Sequence, residues 1–136
     1  MRLSRMQFFS TCALAITLCW FLCPSTTLAF EIEIDVAPNV LNIQSESLVV
    51  TVHTDIAYSI VVGATVFLNG VEIDHWKSDA QGNFIAKFLS DEIKTLDGLV
   101  IGGYNTLVLN GFDTDGKAFI GTQDIEVIDI IPNGKN

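Results

Sequence analysis

Ala64-Thr-Val-Phe-Leu-Asn-Gly-Val-Glu-Ile-Asp-His-Trp76 is the stretch that decides the fold. Two apolar or alternating runs of strand length, Ala64–Leu68 and Val71–Trp76, meet at Asn69-Gly70. Both residues of that pair tolerate a positive φ, which a type I′ turn demands at its two central positions. The stretch therefore reads as a β-hairpin. Its period of two puts Val71, Ile73 and His75 on one face, and Glu72, Asp74 and Trp76 on the other.

The pattern continues on both sides of this hairpin. Glu31-Ile-Glu-Ile-Asp-Val36 alternates acidic and aliphatic residues, and Val40–Ile43 resumes after Pro38 and Asn39. Leu48–His53 is β-branched, with Leu48, Val50 and Val52 expected to face inward and Val49, Thr51 and His53 outward. Downstream, Ser78–Gly82 and Asp113–Gly116 read as turns, and Asn83–Phe88, Tyr104–Phe112 and Phe119–Ile131 as strands. Ser90–Leu96 differs: Ser90 is placed to cap a short helical turn, and Ile93 and Leu96 fall on one side of it. Some seven to eight short strands, a turn about every ten residues and no long helical period predict an all-β sandwich with one short helical turn.

The first 29 residues have the layout of an export signal. Arg2 and Arg5 form a basic start, Met6–Cys23 an apolar run, and Pro24–Ala29 a polar tail with small residues at Thr27 and Ala29. Cleavage is expected before Phe30, leaving residues 30–136 as a single domain. An apolar run of this length also suits an uncleaved membrane anchor, but Pro24 and the tail favour cleavage. All three cysteines, Cys12, Cys19 and Cys23, lie inside this segment, and none follows the small residue that a lipoprotein signal needs. The expected location is periplasmic or extracellular, in a form without disulfides.

Cleavage removes both arginines and none of the acidic residues, so 5 lysines remain against 16 carboxylates. Such a surface repels phosphate backbones and anionic lipid, which argues against nucleic acid and, after signal cleavage, against a membrane as partner.

Several segments together resemble small immunoglobulin-like modules of exported bacterial proteins. Ala37-Pro-Asn-Val-Leu-Asn-Ile43 is similar to their opening P-N-x-L-N-L, Val50-Thr-Val52 to a following V-x-V, and Val66-Phe-Leu-Asn-Gly70 to V-x-L-N-G. Ala86–Leu96 resembles a K-F-D-R-x-x-V-x-x-L turn, with Leu89 and Ser90 standing where the modules have Asp-Arg. Thr106–Gly111 and Asp115–Val127 are similar to L-T-V-T-G and D-G-T-x-F-x-G-S-D-x-I-x-V. The resemblance implies an immunoglobulin-like antiparallel sandwich. It implies no activity and transfers no catalytic or ligand-binding residue.

Catalytic constellations are absent from the sequence. Residues 30–136 hold two histidines, His53 and His75, no cysteine and no G-x-S-x-G elbow. Asp113-Thr-Asp-Gly116 starts like a calcium loop, but Ala118 stands where the loop glycine belongs, and Asp and Gly are what a tight turn requires. No cofactor or metal site is expected. Trp76 is the one tryptophan after the signal, and alternation places it beside Asp74 and Glu72. An aromatic next to carboxylates stacks on a sugar ring or anchors a protein contact; the favoured reading of Trp76, however, is that a bulge or twist turns it back over the core rim. The expectation is a non-catalytic module for protein interaction or surface assembly, with carbohydrate binding through Trp76, Asp74 and Glu72 as the alternative.

Overall fold

A computed structural model describes residues 28–131. The expected export segment, with its three cysteines, therefore lies outside the described residues except for Leu28 and Ala29. The elements in chain order are β1 (Phe30–Glu31), β2 (Ile34–Ala37), β3 (Val40–Asn42), β4 (Val49–Ala57), β5 (Phe67–Leu68), β6 (Val71–Glu72), β7 (His75–Ser78), β8 (Asn83–Leu89), α1 (Ser90–Lys94), β9 (Gly103–Phe112) and β10 (Ala118–Ile128). Single 3₁₀ turns occupy Tyr58–Ile60 and Gly63–Thr65. Two sheets pack into a β-sandwich. The first runs β1-β10-β9-β5-β6, with β3 also on β10; the second runs β2-β4-β8-β7.

The strand count exceeds the expected seven to eight because two courses of chain change sheets and are cut in the process. The N-terminal course pairs parallel with β10 through β1, antiparallel with β4 through β2, and parallel with β10 again through β3. The second change falls at Pro38, which follows a cis peptide bond. Gln123 on β10 reaches across at the switch, its Oε1 accepting the Val36 N–H at 2.7 Å. The other divided course is Val71–Ser78. The N–H of Ile73 donates to Val66 O at 3.3 Å in the first sheet, and that of Asp74 to Lys87 O at 2.9 Å in the second. The change of sheet takes one peptide unit.

Inward residues of both sheets form one core. Val36, Val50, Val52, Phe84, Ala86 and Phe88 from the second sheet meet Leu41, Leu68, Leu107, Leu109, Phe119, Ile125 and Val127 from the first. Each large side chain buried this fully is worth about 1.5–3 kcal/mol, which lets a domain without cystines hold together by packing. Val50 and Val52 are inward as expected, but Leu48 precedes the strand and is 80% exposed.

Ile93 is fully buried beneath α1 and Leu96 packs beside the core. Ser90, expected as the cap, is instead the first helical residue after Leu89. Its N–H continues the ladder to Leu48 O at 3.0 Å, which draws the side chain inside. Its Oγ has no hydrogen-bond partner among the described residues.

Asn69 and Gly70 have φ of +49° and +80°, the paired positive values of the expected tight turn. Asn69 also does what its sequence position alone does not show: its side-chain amide extends the first sheet. Oδ1 accepts the Val108 N–H at 2.6 Å and Nδ2 donates to Thr106 O at 3.2 Å, so a side chain replaces the next strand residue along β9. Asn42 treats Ile130 the same way, and Asn105 treats Val100, each amide bonding both the N–H and the carbonyl of one residue.

Candidate functional site

The change of sheet at Ile73–Asp74 separates the three residues that strict alternation would group. Glu72 stands directly across from Phe67 in the first sheet, so these two share its outer face. Asp74 lies at the crossing, and its carboxylate pairs with His75 Nδ1 at 2.7 Å. Trp76 stands opposite Ala86, in the inward row Val36–Val52–Ala86 of the second sheet. Its indole lies over Gly63: a Cβ built there would overlap the ring, with Nε1 only 2.6 Å away. The side chain remains 39% exposed at the sandwich edge. Ile73 and Trp76, three residues apart, thus both turn inward, and His75 turns outward with the solvent face of the second sheet. Crossing between sheets resets the period, which is why the expected faces do not persist to the strand end.

Nor do the aromatics form a row. Tyr58 stacks on Phe84 with ring centroids 6.3 Å apart, and its N–H donates to Gly82 O at the turn joining β7 to β8. Tyr104 opens β9 at the far end, away from the turn that follows Phe112.

Asp113 serves its turn. Its Oδ1 accepts the N–H groups of Asp115 at 2.9 Å and Lys117 at 2.8 Å, while its backbone bonds Lys117 O and Gly116 N. Asp79 repeats this network on Gln81, Gly82 and Asn83 with near-identical distances. Two D-x-x-G turns, one per sheet, thus have one chemistry: the carboxylate gathers amides that the reversal leaves unpaired. Among the described residues, no group of three or more His, Cys, Asp or Glu is arranged to hold a metal ion.

The outer face of the first sheet carries a feature the sequence does not announce. One register line runs Glu72–Phe67–Asn110–Ile120–Glu31 across β6, β5, β9, β10 and β1. Phe112 and Ala118 form the next line. Phe67, Phe112 and Ile120 border a groove of about 370 Å³, floored by Gly111 and Phe119. Phe67 and Phe112 are 38% and 48% exposed, so two phenyl rings stand in solvent with a carboxylate at either end of the line. A second cleft, about 330 Å³, follows the crossing from β1 to β2 and is lined by Glu31–Ile34 and Ile120–Thr122. The hint in the sequence is that Val66, Phe67 and Leu68 are all apolar, so the strand is apolar on both faces. Phe112 and Ile120 join Phe67 only through pairings across more than forty residues.

This surface offers apolar contact, one amide and negative charge. It holds no nucleophile beside a base. The outer face of the second sheet is mixed in character: lines His75–Lys87–Thr51 and Lys77–Ile85–His53–Asp35 cross it.

No protein-family model matches the chain, and no curated protein matches it. A solved structure from a 1.5-MDa bacterial ice-binding adhesin, concerned with its retention on the host cell surface, is similar at 18% identity with a TM-score of 0.40. The likeness covers 78% of this chain and 33% of that one, so the chain spans about a third of the solved chain it resembles. At that level it assigns neither fold nor activity.

Proposed function

We propose that this is an exported, immunoglobulin-like interaction module that acts without catalysis, by docking a protein on the outer face of its first sheet. The observation that carries this reading is the groove bordered by Phe67, Phe112 and Ile120, on a face whose register line ends in Glu31 and Glu72. Exposed aromatic rings beside a flat sheet are anchor points for a partner, and flanking carboxylates select one with cationic edges. The division of the N-terminal course, antiparallel to β4 in one sheet and parallel to β10 in the other, supports the immunoglobulin-like description. The layout of residues 1–29 supports export, and no helix of the described residues is long and apolar enough to cross a membrane. Carbohydrate binding through Trp76, Asp74 and Glu72 is the weaker reading, since Glu72 lies on the other sheet and the Trp76 ring is against Gly63.

Nuclear magnetic resonance of the isotopically labelled domain tests this. A short peptide alternating lysine with apolar residues should move the amides of Phe67, Asn110, Phe112 and Ile120, and its glutamate counterpart should not. Silence of those amides, with the Trp76 indole resonance moving on addition of oligosaccharide, would reverse the assignment.

A further inference from the structure

We propose that Asn69 is a site of spontaneous deamidation that the fold holds in check, and that its conversion releases β5 from β9. The inference does not depend on the docking reading. Asn-Gly occurs three times in the chain, at Asn69-Gly70, Asn110-Gly111 and Asn133-Gly134, the last outside the described residues. In such a pair no side chain shields the glycine nitrogen. Once hydroxide removes its proton, that nitrogen attacks the asparagine Cγ. The N–Cγ bond forms, the Cγ–Nδ2 bond breaks, and ammonia leaves with a proton from water. Water then opens the cyclic imide at either carbonyl. The product is aspartate or isoaspartate, and the second has a main chain longer by one carbon.

The two described pairs give this reaction different access. Val108 points its N–H towards β5, so by alternation Gly111 points its own into the β9–β10 ladder, where it is buried opposite Phe119. Gly70 and Asn69 are both exposed at the centre of their turn. Solvent base therefore reaches Gly70 and not Gly111. What restrains Asn69 is its amide, held by Val108 N–H at 2.6 Å and Thr106 O at 3.2 Å. The side chain carries on along β9 in the line of β5, whereas the main chain turns back at Gly70 into β6. Bringing Cγ onto the Gly70 nitrogen means breaking both bonds, an opening of the turn that needs no global unfolding.

The same bonds make the product damaging. β5 is only Phe67–Leu68, and it meets β9 through Phe67 on Asn110 and Leu68 on Leu109. The Asn69 amide supplies the next rung. A carboxylate in its place has no proton for Thr106 O and sets oxygen against oxygen. Isoaspartate adds an atom to a two-residue turn that closes only at its paired positive φ values. Either way β5 keeps two residues of pairing, and Phe67 loses its fixed place on the outer face. Because the reaction runs one way, it accumulates with the time the turn has spent open.

Peptide mass mapping of the full exported form, held at mildly alkaline pH either folded or in guanidinium, tests the first half. In guanidinium the three pairs should convert at similar rates. In the folded chain Asn69 should convert about tenfold or more slowly than in guanidinium, yet faster than Asn110. Hydrogen exchange by nuclear magnetic resonance tests the second half, on the fraction converted at position 69 and separated by ion exchange. The Val108 N–H should exchange faster there than in unconverted protein, with Gly111 unchanged. Asn69→Asp should reproduce that difference without ageing. Asn69→Gly keeps the positive φ but lacks the amide, so its Val108 N–H should exchange fast from the outset and not change with age. Asn69 converting as fast folded as unfolded, or no faster than Asn110, overturns the inference. So does a converted fraction in which Val108 is still protected.

Discussion

Both courses of chain that change sheets cross over a glycine, but the two crossings are built differently. The N-terminal course passes Gly121 of β10, where an added Cβ would meet Ile34 Cγ2 at 2.6 Å and the Ile32 carbonyl oxygen at 3.1 Å. The Val71–Ser78 course passes Gly63, where the three nearest neighbours of an added Cβ would all be atoms of the Trp76 ring. One crossing packs two isoleucine side chains and a carbonyl oxygen against its glycine. The other is held by a half-exposed side chain that has room to swing outward. Branched core side chains and a carbonyl oxygen have little freedom to give way, so the first crossing should be rigid and the second tolerant.

The largest expected effect is Gly121→Val, which should lower stability in urea denaturation by about 3 kcal/mol, the upper range for overpacking. Removing the side chain above it with Ile34→Ala should not restore the loss, because the Ile32 carbonyl remains. Recovery in that double variant would erase the distinction between the crossings.

Gly63→Ala should cost less, about 1–2 kcal/mol, and the cost should vanish to within about 0.5 kcal/mol when Trp76→Ala is also present. Trp76→Ala alone should fall near 2 kcal/mol, between the values for a surface residue and for a core aromatic. A double-mutant cycle without coupling would mean that the ring does not rest on Gly63.

The turns sharpen the comparison at the smallest scale, since both sheets use the same device. Asp113→Ala should cost about 1–2 kcal/mol, and Asp79→Ala less, because Asp113 is only 8% exposed and water replaces its lost bonds less well. Millimolar calcium should leave the melting temperature in place. A site a hundredfold saturated would add about 2.7 kcal/mol, a rise that thermal denaturation would reveal.

Most of the sandwich is legible in the sequence where a local cause is also the whole cause. The Asn69-Gly70 turn, the two D-x-x-G turns and the β-branched or apolar runs of β4, β8, β9 and β10 each carry their own instruction. Pro38 marks a break that the structure uses. The crossing at Ile73–Asp74 has no such mark: it depends on two backbone hydrogen bonds to Val66 and Lys87, residues of different sheets. Alternation read through it therefore assigns Trp76 and His75 to the wrong sides. Ser90 misleads for a related reason, since a good capping residue is drawn into the core by the ladder bond to Leu48. At the candidate site Glu72 is legible as an exposed acid. Its aromatic neighbours become a surface only through the register of β5 on β9, strands about forty residues apart in the chain.

The parallel pairing of the first and last courses has a mechanical consequence. β1 and β3 both run alongside β10 in its own direction, so tension applied through residues 30 and 128 pulls the two courses past each other lengthwise. The ladder is then loaded in shear, with its bonds sharing the force at once instead of opening one after another as a zipper does. Ile32 to Ile120, Asn39 to Glu126, Ile43 to Ile128 and the Asn42 amide on Ile130 all lie along that line. A module joined at these two points to a surface and a load would hold until that shear ladder gives way, since the rest of the fold carries no tension before it does.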